Sequence, residues 1–381
     1  MSSIGPTEEI DEVKERAHFQ AVVNAFKYYK LCSLERIHKS EKIISMLPPS
    51  DQRRLDRYRT YLTKFKRCLD VNNDVVHLII KDVDTMFENV EHSTNGSHGT
   101  ENFGCNYNNC EITSLKQHKM QHDVEKVQSV LKNIVRDWSA AGEVERDQCY
   151  KPILDELEER YPRQEHCSRS AVRVLVPGAG LGRLAWEVAG RGFSCQGNEF
   201  SLFMLFASNF ILNKCVEANS YTVYPWVHQY VNHLTCEHQT AGVSFPDVPP
   251  AAHHQHQQQH FSIAAGDFLK VYTELDEWHC IATCFFIDCA PNVIEFIERI
   301  YHILRPGGLW INLGPLLYHY SDMPNEISIE PPYDILLDII QDVGFEILKE
   351  QTSVRTRYAQ NPNSMMQHEY NSVFFVCRKA T

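Results

Sequence analysis

Hydrophobic positions in the first 160 or so residues recur at spacings of three and four, which is the period of an amphipathic helix. Similar spacing predicts helices over 8–31, 51–69 and 71–90, and a further helix that ends near Gly142. The apolar stripe of this last helix consists of Val124, Val127, Leu131, Ile134, Val135 and Trp138. Residues 1–165 are therefore predicted to form a helical N-terminal region, an arm or a lid. Its segment 91–122 is rich in Asn, Gly, Ser and Thr and is predicted to be a mobile connection.

The pattern changes at about residue 171, where short β-branched and apolar runs begin to alternate with segments of helical period. Strands are predicted at 172–176, 193–197, 261–265, 279–287, 308–313, 345–352 and 370–377, with helices that include 202–216 and 290–304. This alternation is typical of a parallel α/β sheet, so 166–381 is predicted to be one α/β domain. An insert at about 235–260 contains the run HHQHQQQH and is predicted to be disordered, a tolerated polar tract rather than a metal site.

Composition narrows the class of protein. Of the 381 residues, 43% are hydrophobic. The chain has 37 basic and 49 acidic side chains, which gives a net charge of −12. Because of this negative charge, neither a nucleic acid nor an anionic membrane is expected as a partner. Apolar runs stay well short of the roughly 20 residues of a membrane span, and no signal peptide is expected. The 13 scattered cysteines are expected to be reduced thiols, which favours the cytosol.

A glycine-rich motif follows the first predicted strand and opens a helix, in the sequence VLVPGAGLGRL. Its glycines, Gly178, Gly180 and Gly182, allow a sharp turn and let a ligand approach backbone N–H groups closely. A dinucleotide fingerprint would have Gly-x-Gly-x-x-Gly, but here the third glycine comes one residue earlier. The spacing is typical of enzymes that bind S-adenosylmethionine.

Two later strands end in residues that suit a nucleoside. Glu199 follows the second predicted strand, where a carboxylate can accept hydrogen bonds from both ribose hydroxyls. Asp267 follows the third and could bind an adenine amino group, while Phe268 offers the ring an apolar contact. Each of these residues also has a structural alternative. Glu199 could be a charge at a helix start, Asp267 an N-cap, and Phe268 a core residue. Their order after three successive strands favours a nucleoside-cofactor site.

Two features indicate a methyltransferase. The sequence ILRPGGLW at 303–310 forms a turn between a predicted helix and a predicted strand. A turn of this type is common before the fifth strand of methyltransferase folds, so it favours a methyltransferase over a dehydrogenase. The fourth predicted strand delivers Asp288 to the carboxyl edge of the sheet, where open α/β sheets bind ligands. The Cys-Ala-Pro-Asn that follows Asp288 departs from the Asn/Asp-Pro-Pro-Tyr motif of amide and nucleobase enzymes.

Longer strings carry a resemblance to a known family. They are VPGAGLGRLAW at 176–186, QGNE at 196–199, FFID at 285–288 and WINLGPLLYH at 310–319, with VRDW, ERD and SMM at 135–138, 145–147 and 364–366. From about Phe19 to Arg378 the chain resembles the carnosine N-methyltransferase family. The resemblance implies a Rossmann-like class I methyltransferase fold with an N-terminal helical region. It also implies methyl transfer from S-adenosylmethionine to an imidazole nitrogen of carnosine (β-alanyl-histidine), giving anserine.

The resemblance also assigns residues. It implies that the cofactor is held by Asn133, Arg136, Gly178, Gly180, Glu199, Asp267, Phe268 and Cys284, with Asn133 standing where the family has a Gln. It implies that the dipeptide is held by Asp288, His319, Tyr358 and Tyr370. A homodimer and a nuclear share of the protein are implied as well.

The chemistry of these residue types agrees with an imidazole acceptor. Free imidazole titrates near pH 6.5, so much of it is neutral and nucleophilic at physiological pH. Asp288 could accept a hydrogen bond from one ring N–H, leave the other nitrogen bare and stabilise the positive charge that develops, while His319 acts as a second ring partner or proton acceptor. Taken without the resemblance, His319 is better explained as a core histidine bonded to backbone, and Tyr370 as a packing residue of a strand. Arg136 is either a surface ion pair or a fork for the methionine carboxylate.

Other functions remain open on sequence. Cys105, Cys110, His118 and His122 have pairwise spacing like that of zinc ligands, but their gap is too short for the usual zinc finger, and no metal site is predicted. A methyltransferase acting on histidine in other dipeptides, peptides or proteins is the main alternative. A nucleic-acid methyltransferase is disfavoured by the charge of −12.

Overall fold

The structure, a computed structural model, describes residues 6–86, 114–163, 168–252 and 260–381. They divide into two compact units at Val130 and Leu131. The helices of the first unit are α1 (Pro6–Met46), α2 (Pro49–Arg54), α3 (Asp56–Ile80) and most of α4 (Ser114–Trp138), with a 3-10 turn at Val83–Thr85. The second unit holds the end of α4 and everything that follows.

The first unit is helical, as the periodicity predicts. Helix α3 buries one stripe of its surface, including Leu69 and Val76, and the buried Asn72 donates a hydrogen bond of 3.0 Å to the Tyr29 hydroxyl on α1. The sequence predicts that one helix ends at residue 69 and the next begins at 71, but α3 continues through these positions. No proline or glycine lies there to end the helix. The predicted stop before residue 51 is present, since α1 ends at Met46 and α2 begins at Pro49.

The second unit contains a seven-stranded sheet. Its helices are α5 (Glu143–Cys149), α6 (Lys151–Arg160), α7 (Arg183–Gly190), α8 (Leu202–Lys214), α9 (Cys236–Gln239), α10 (Phe268–Val271), α11 (Val293–Ile303) and α12 (Tyr333–Val343). Its strands are β1 (Arg173–Pro177), β2 (Ser194–Glu199), β3 (Tyr221–Val223), β4 (Val243–Phe245), β5 (Phe261–Ala265), β6 (Trp278–Cys284), β7 (Leu304–Gly314), β8 (Phe345–Thr356) and β9 (Tyr370–Lys379).

The order of the sheet is β5-β2-β1-β6-β7-β9-β8, and β3 pairs with β4 in a separate ribbon. All pairings among β5, β2, β1, β6 and β7 are parallel, whereas β9 is antiparallel to both β7 and β8. This is the class I methyltransferase arrangement, so the predicted fold class is confirmed. The order reverses between β1 and β6, and ligands of open α/β sheets bind at such a switch point.

Hydrophobic clusters cover both faces of the sheet. One contains Leu175 and Ile281 with the apolar sides of α11 and α12. The other packs Ile153 and Leu157 of α6 against Leu184 of α7 and the outward side of β1. Helices α5 and α6 bury apolar residues in this cluster, and the compact unit that contains the sheet begins at residue 131.

The insert predicted to be disordered requires a correction. Residues 236–252 are ordered: they include α9 and β4, and Phe245 is fully buried with its ring centroid 5.7 Å from that of Tyr221. Asp247 accepts hydrogen bonds from Arg183 (2.7 Å) and Arg146 (2.8 Å), which tie the segment to the second unit. The prediction failed because these partners are distant in sequence. The rest of the predicted disorder, 253–259, lies outside the described residues.

Two other predictions concern segments that lie only partly within the described residues. The predicted connection at 91–122 is helical from Ser114, where α4 begins, and 91–113 lies outside the described residues. Ten cysteines in the described part of the chain are free thiols, whereas Cys105 and Cys110 of the zinc alternative lie outside it. None of the helices described is both long enough and apolar enough to cross a membrane.

Candidate active site

The glycine loop joins β1 to α7 and has left-handed backbone conformations at Gly178 (φ 65°), Gly180 (φ 56°) and Gly182 (φ 83°). Two observations exclude a side chain at Gly178. Its positive φ angle is one that residues with a Cβ rarely adopt, and a Cβ would lie 2.6 Å from the ring of Phe286. The loop therefore presents bare backbone at the switch point of the sheet, which is the requirement for close approach of a ligand.

Glu199 is fixed beside this loop by three backbone donors. Its Oε2 accepts a hydrogen bond of 2.8 Å from the N–H of Gly180, and its Oε1 accepts from Phe200 (2.9 Å) and Ser201 (2.8 Å). Burial raises the pKa of Glu199, and the three N–H groups partly oppose that shift. A carboxylate has about four lone-pair positions. Two on Oε1 and one on Oε2 are occupied, so Oε2 keeps one position that can accept from a ribose hydroxyl.

Asp267 and Phe268 also have the structural roles considered above as alternatives. Asp267 caps α10, because its Oδ1 accepts a hydrogen bond of 3.0 Å from the N–H of Leu269. Phe268 is 3% exposed and lies edge-on to Phe286 and Phe296, with centroid distances of 5.6 and 5.4 Å. Both nevertheless line the main cavity, so the structural and binding roles coexist.

The end of α4 contributes a buried cation. Nη1 of Arg136 donates hydrogen bonds to Asp137 (2.9 Å) and the Tyr150 hydroxyl (2.5 Å), and the guanidinium lies between the rings of Tyr150 and Tyr358, 4.8 and 4.6 Å from their centroids. Burial lowers the pKa of Arg136, but Tyr150 and Asp137 outweigh it and the pKa lies above its ordinary value. Nε has no hydrogen-bond partner among the described residues. The guanidinium is therefore charged and not fully satisfied.

The same helix end is tied to the glycine loop. The indole of Trp138 donates a hydrogen bond of 3.0 Å to the backbone oxygen of Leu181. Asn133, Arg136 and Cys284 line a small pocket of about 50 Å³ with Gly178 and Gly180. Contact with Cys149, followed by burial, holds the pKa of the Cys284 thiol well above its ordinary value, so Cys284 presents a neutral group.

Asp288 lies in a 3-10 turn, Ile287–Cys289, directly after β6. It is 2% exposed, and its Oδ2 accepts a hydrogen bond of 2.8 Å from the N–H of Leu317. Its Oδ1 is buried and has no hydrogen-bond partner in the described chain. Burial raises the pKa of Asp288, against the opposing effects of the Leu317 N–H and of His319. One carboxylate oxygen is thus held in place and the other is left to accept a hydrogen bond.

His319 is held next to this carboxyl by its backbone, whose N–H donates a hydrogen bond of 3.0 Å to the carbonyl oxygen of Asp288. Its side chain is exposed, so it is not the buried core histidine of the alternative interpretation. Its Nε2 lies 4.0 Å from Sγ of Cys289.

Tyr358 and Tyr370 meet at one aromatic residue. The ring of Phe285 lies 5.0 Å from that of Tyr358 and 5.8 Å from that of Tyr370, between centroids. Phe285 has a left-handed backbone (φ 53°), which ends β6 and turns the chain toward Asp288. Tyr358 keeps 40% of its surface exposed. Both tyrosines therefore present surface to the cavity while their rings are positioned by Phe285.

All twelve site residues predicted from sequence lie around two cavities that share lining residues. A cavity of about 920 Å³ is lined by nine of them: Gly178, Gly180, Glu199, Asp267, Phe268, Asp288, His319, Tyr358 and Tyr370. The other three line the pocket of about 50 Å³, which shares Gly178, Gly180 and Tyr358. The predicted cofactor and acceptor residues are thus brought to one place, between the carboxyl ends of the parallel strands.

Sequence reasoning missed several residues of the cavity wall. Met204 and Phe286 line it but are ordinary apolar residues in sequence, with no signal to distinguish them. The Leu317 N–H acts through the backbone, so residue type could not reveal it. Cys289 could have been found, because it directly follows Asp288 at the carboxyl edge of the sheet.

The fold and the site define the class of protein, an S-adenosylmethionine-dependent methyltransferase. Residues 113–381 match the sequence model of the family described as Carnosine N-methyltransferase. The mouse Carnosine N-methyltransferase is 45% identical over 373 residues, which cover 98% of this chain and 88% of that protein. The protein named Carnosine N-methyltransferase unmet from Drosophila melanogaster is 47% identical over 380 residues, with 97% and 81% covered.

A more distant relative agrees: the Carnosine N-methyltransferase of Schizosaccharomyces pombe is 43% identical over 267 residues, which cover 67% of this chain and 71% of that protein. The chain belongs to the carnosine N-methyltransferase family. It is an N-methyltransferase whose cofactor is S-adenosylmethionine.

Proposed function

We propose that this protein transfers a methyl group from S-adenosylmethionine to an imidazole nitrogen of carnosine and releases anserine. The observation that carries the proposal is Oδ1 of Asp288, a buried carboxylate oxygen that lines the main cavity and has no partner among the described residues. An imidazole N–H is a donor that would satisfy it, and family membership supports a histidine-containing dipeptide.

The residues around the glycine loop fit the cofactor. Glu199 would accept a hydrogen bond from a ribose hydroxyl, Arg136 would bind the methionine carboxylate, and Asp267 would accept from the adenine amino group. Nη1 of Arg136 is already engaged, so the guanidinium offers its remaining N–H groups. Asn133, Phe268 and Cys284 would complete the wall around it. When bound, S-adenosylmethionine supplies an electrophilic methyl carbon on a sulfonium.

Asp288 then has two roles toward the acceptor. By accepting a hydrogen bond from one ring N–H it selects the tautomer in which the other nitrogen has a free lone pair. Methylation of that nitrogen, in which the methyl–sulfur bond breaks and its electron pair stays on the sulfur, would make the ring cationic. The adjacent buried carboxylate would stabilise this charge. The N–H proton finally leaves to Asp288, to His319 or to solvent, which restores a neutral methylated imidazole.

His319, Tyr358 and Tyr370 position the dipeptide. His319 is exposed within the cavity next to Asp288 and can act as a second partner of the ring or as proton acceptor. The two tyrosines present their faces and hydroxyls to the substrate. Positioning of this kind lowers the barrier because the acceptor and the methyl carbon no longer have to find each other in solution.

The cavity of about 920 Å³ would hold both the cofactor and the acceptor, because its lining includes Gly180 and Glu199 as well as Asp288 and His319. Family membership favours a dipeptide as the acceptor that shares this space. A competition assay tests this directly: carnosine, other histidine dipeptides and longer histidine peptides are offered together with labelled cofactor. The proposal expects carnosine to outcompete the peptides, and preferential methylation of a peptide or protein histidine would overturn it.

We further propose that the protein acts in the cytosol, with a nuclear share, and assembles as a homodimer. The free thiols of the described cysteines support a reducing compartment. Cell fractionation tests the location, and light scattering of the purified protein tests the oligomeric state. A monomeric mass in solution would contradict the dimer without affecting the proposed reaction.

A further inference from the structure

Three different metal-ligand types meet on the acceptor side of the cavity. A carboxylate oxygen of Asp288, Sγ of Cys289 and a ring nitrogen of His319 all lie within 4.8 Å of one another. The distance from Sγ of Cys289 to Nε2 of His319 is 4.0 Å. Zinc–sulfur and zinc–nitrogen bonds are about 2.3 and 2.0 Å long, so tetrahedral ligands lie roughly 3.5 Å apart. A small contraction would bring these three to coordination distance.

A second observation indicates that this cluster can take a ligand. Asp288 is 2% exposed, its Oδ2 is held by the Leu317 N–H, and its Oδ1 has no hydrogen-bond partner in the part of the chain described. A buried carboxylate oxygen without a partner is costly unless a donor or a cation satisfies it. The backbone of His319 is fixed by its hydrogen bond to the Asp288 carbonyl, so the two side chains have a defined relation.

We propose that Asp288, Cys289 and His319 form an inhibitory site for a single borderline-soft divalent cation of the zinc type. Thiolate and imidazole ligands select zinc, cobalt or nickel over magnesium and calcium, which prefer oxygen. On binding, the Cys289 thiol releases its proton to solvent, the sulfur forms a bond to the metal, and a water completes the fourth position. No electrons are transferred.

The consequence for catalysis rests on the function proposed above. The metal takes the Asp288 oxygen and the His319 ring that would otherwise meet the imidazole of the acceptor. Cation and acceptor therefore compete for one place, whereas the cofactor residues Glu199 and Arg136 are not among the ligands. At a buffered, constant concentration of free Zn²⁺, which excludes simple chelation of the metal by the dipeptide, added carnosine should relieve inhibition, and added S-adenosylmethionine should not.

Binding is tested without reference to activity by adding Co²⁺ to the full-length protein under reducing conditions. Coordination by a thiolate gives an intense near-ultraviolet charge-transfer band that sites made only of imidazole do not give. This separates the cluster from the histidine-rich run at 253–260. The variants are Cys289→Ala, with His319→Gln as a second ligand variant. Cys236→Ala is the control, a half-buried free cysteine in α9.

The wild type and Cys236→Ala are expected to show the band, saturating at one Co²⁺ per chain, and Cys289→Ala to lack it. His319→Gln should weaken Co²⁺ binding by at least about tenfold, since even outer partners of a metal site contribute that much. In the methylation assay, Cys289→Ala should need at least about tenfold more Zn²⁺ for half-inhibition, each variant being compared with its own metal-free rate.

An absent band in the wild type, or equal bands in the wild type and Cys289→Ala, would overturn the site. Zinc inhibition that does not respond to carnosine would overturn the competition. If the Co²⁺ band depends on Cys289 but carnosine is not a substrate, the metal site stands and the proposed function fails, so the two failures can be told apart.

Discussion

Oε2 of Glu199 accepts a hydrogen bond of 2.8 Å from the backbone N–H of Gly180, so the acidic end of β2 and the glycine loop after β1 are locked together. The carboxylate proposed to bind the ribose thus also sets the shape of the loop that would hold the rest of the cofactor. Cofactor affinity should therefore respond to Glu199 in two ways, through lost contacts and through a displaced loop.

Replacing Glu199 with Gln should weaken S-adenosylmethionine binding by about tenfold to a hundredfold. The side-chain NH₂ would take the place of a carboxylate oxygen and would then face a backbone N–H, so two donors would oppose each other. Calorimetric titration measures the effect. Glu346→Gln, at an exposed ion pair with Arg378, is the control and should bind normally. Unchanged affinity in Glu199→Gln would remove Glu199 from the cofactor site.

Gly178→Ala should destabilise the loop more than Gly192→Ala does, by about 1–3 kcal/mol in the free energy of unfolding. Both glycines have left-handed φ angles, but the new Cβ would lie 2.6 Å from the ring of Phe286 at one site and 3.8 Å from Arg169 at the other. Urea unfolding compares the two variants. Equal losses would mean that the conformation, and not the contact with Phe286, requires glycine at 178.

Asp247→Ala should lower the free energy of unfolding by about 3–5 kcal/mol, because it leaves Arg146 buried without a carboxylate partner and leaves Arg183 paired only with Glu187. Their side chains are 9% and 6% exposed. Asp155→Ala removes an ion pair with Lys151 that is exposed on both sides and should change stability by less than about 1 kcal/mol. A similarly small effect at Asp247 would show that the segment around β4 contributes little to the fold.

The free energy of unfolding should fall between pH 7 and pH 5, and His228 should account for part of this loss. Burial, with help from Lys132, lowers the pKa of His228 to about 3, so the folded chain stays unprotonated there while the unfolded chain takes up a proton near pH 6.5. Unfolding therefore binds a proton in this range, and the loss at pH 5 is about 2 kcal/mol. Denaturation at both pH values should show a smaller difference in His228→Gln. An equal difference would exclude His228 as the cause.

Much of the fold and of the site could be predicted because the informative residues follow one another along the chain. The strands predicted before Glu199 and Asp288 place both carboxylates at the same edge of the sheet. The end of β6 is less visible: the predicted strand continues to 287, but the left-handed Phe285 stops it at Cys284. That conformation depends on tertiary packing against Tyr358 and Tyr370, which local sequence does not encode.

Other parts depend on pairs that only folding brings together. The order of 236–252 relies on Asp247 meeting Arg146 and Arg183, which are 101 and 64 residues away. The orientation of Asp288 relies on a backbone N–H at Leu317, which no residue type announces. The run HHQHQQQH at its end led to the prediction that the whole insert is disordered, because composition does not show that the part before the run is held by buried ion pairs.

The most direct test of the central claim is the methylation rate of Asp288→Ala measured beside its affinity for S-adenosylmethionine. Because Asp288 is proposed to act on the imidazole and not on the cofactor, carnosine methylation should fall by at least about a hundredfold while calorimetric cofactor binding stays near wild type. Asp334→Ala, at the exposed start of α12, serves as the control and should retain both. Near-normal methylation by Asp288→Ala, or loss of cofactor binding together with activity, would contradict this account.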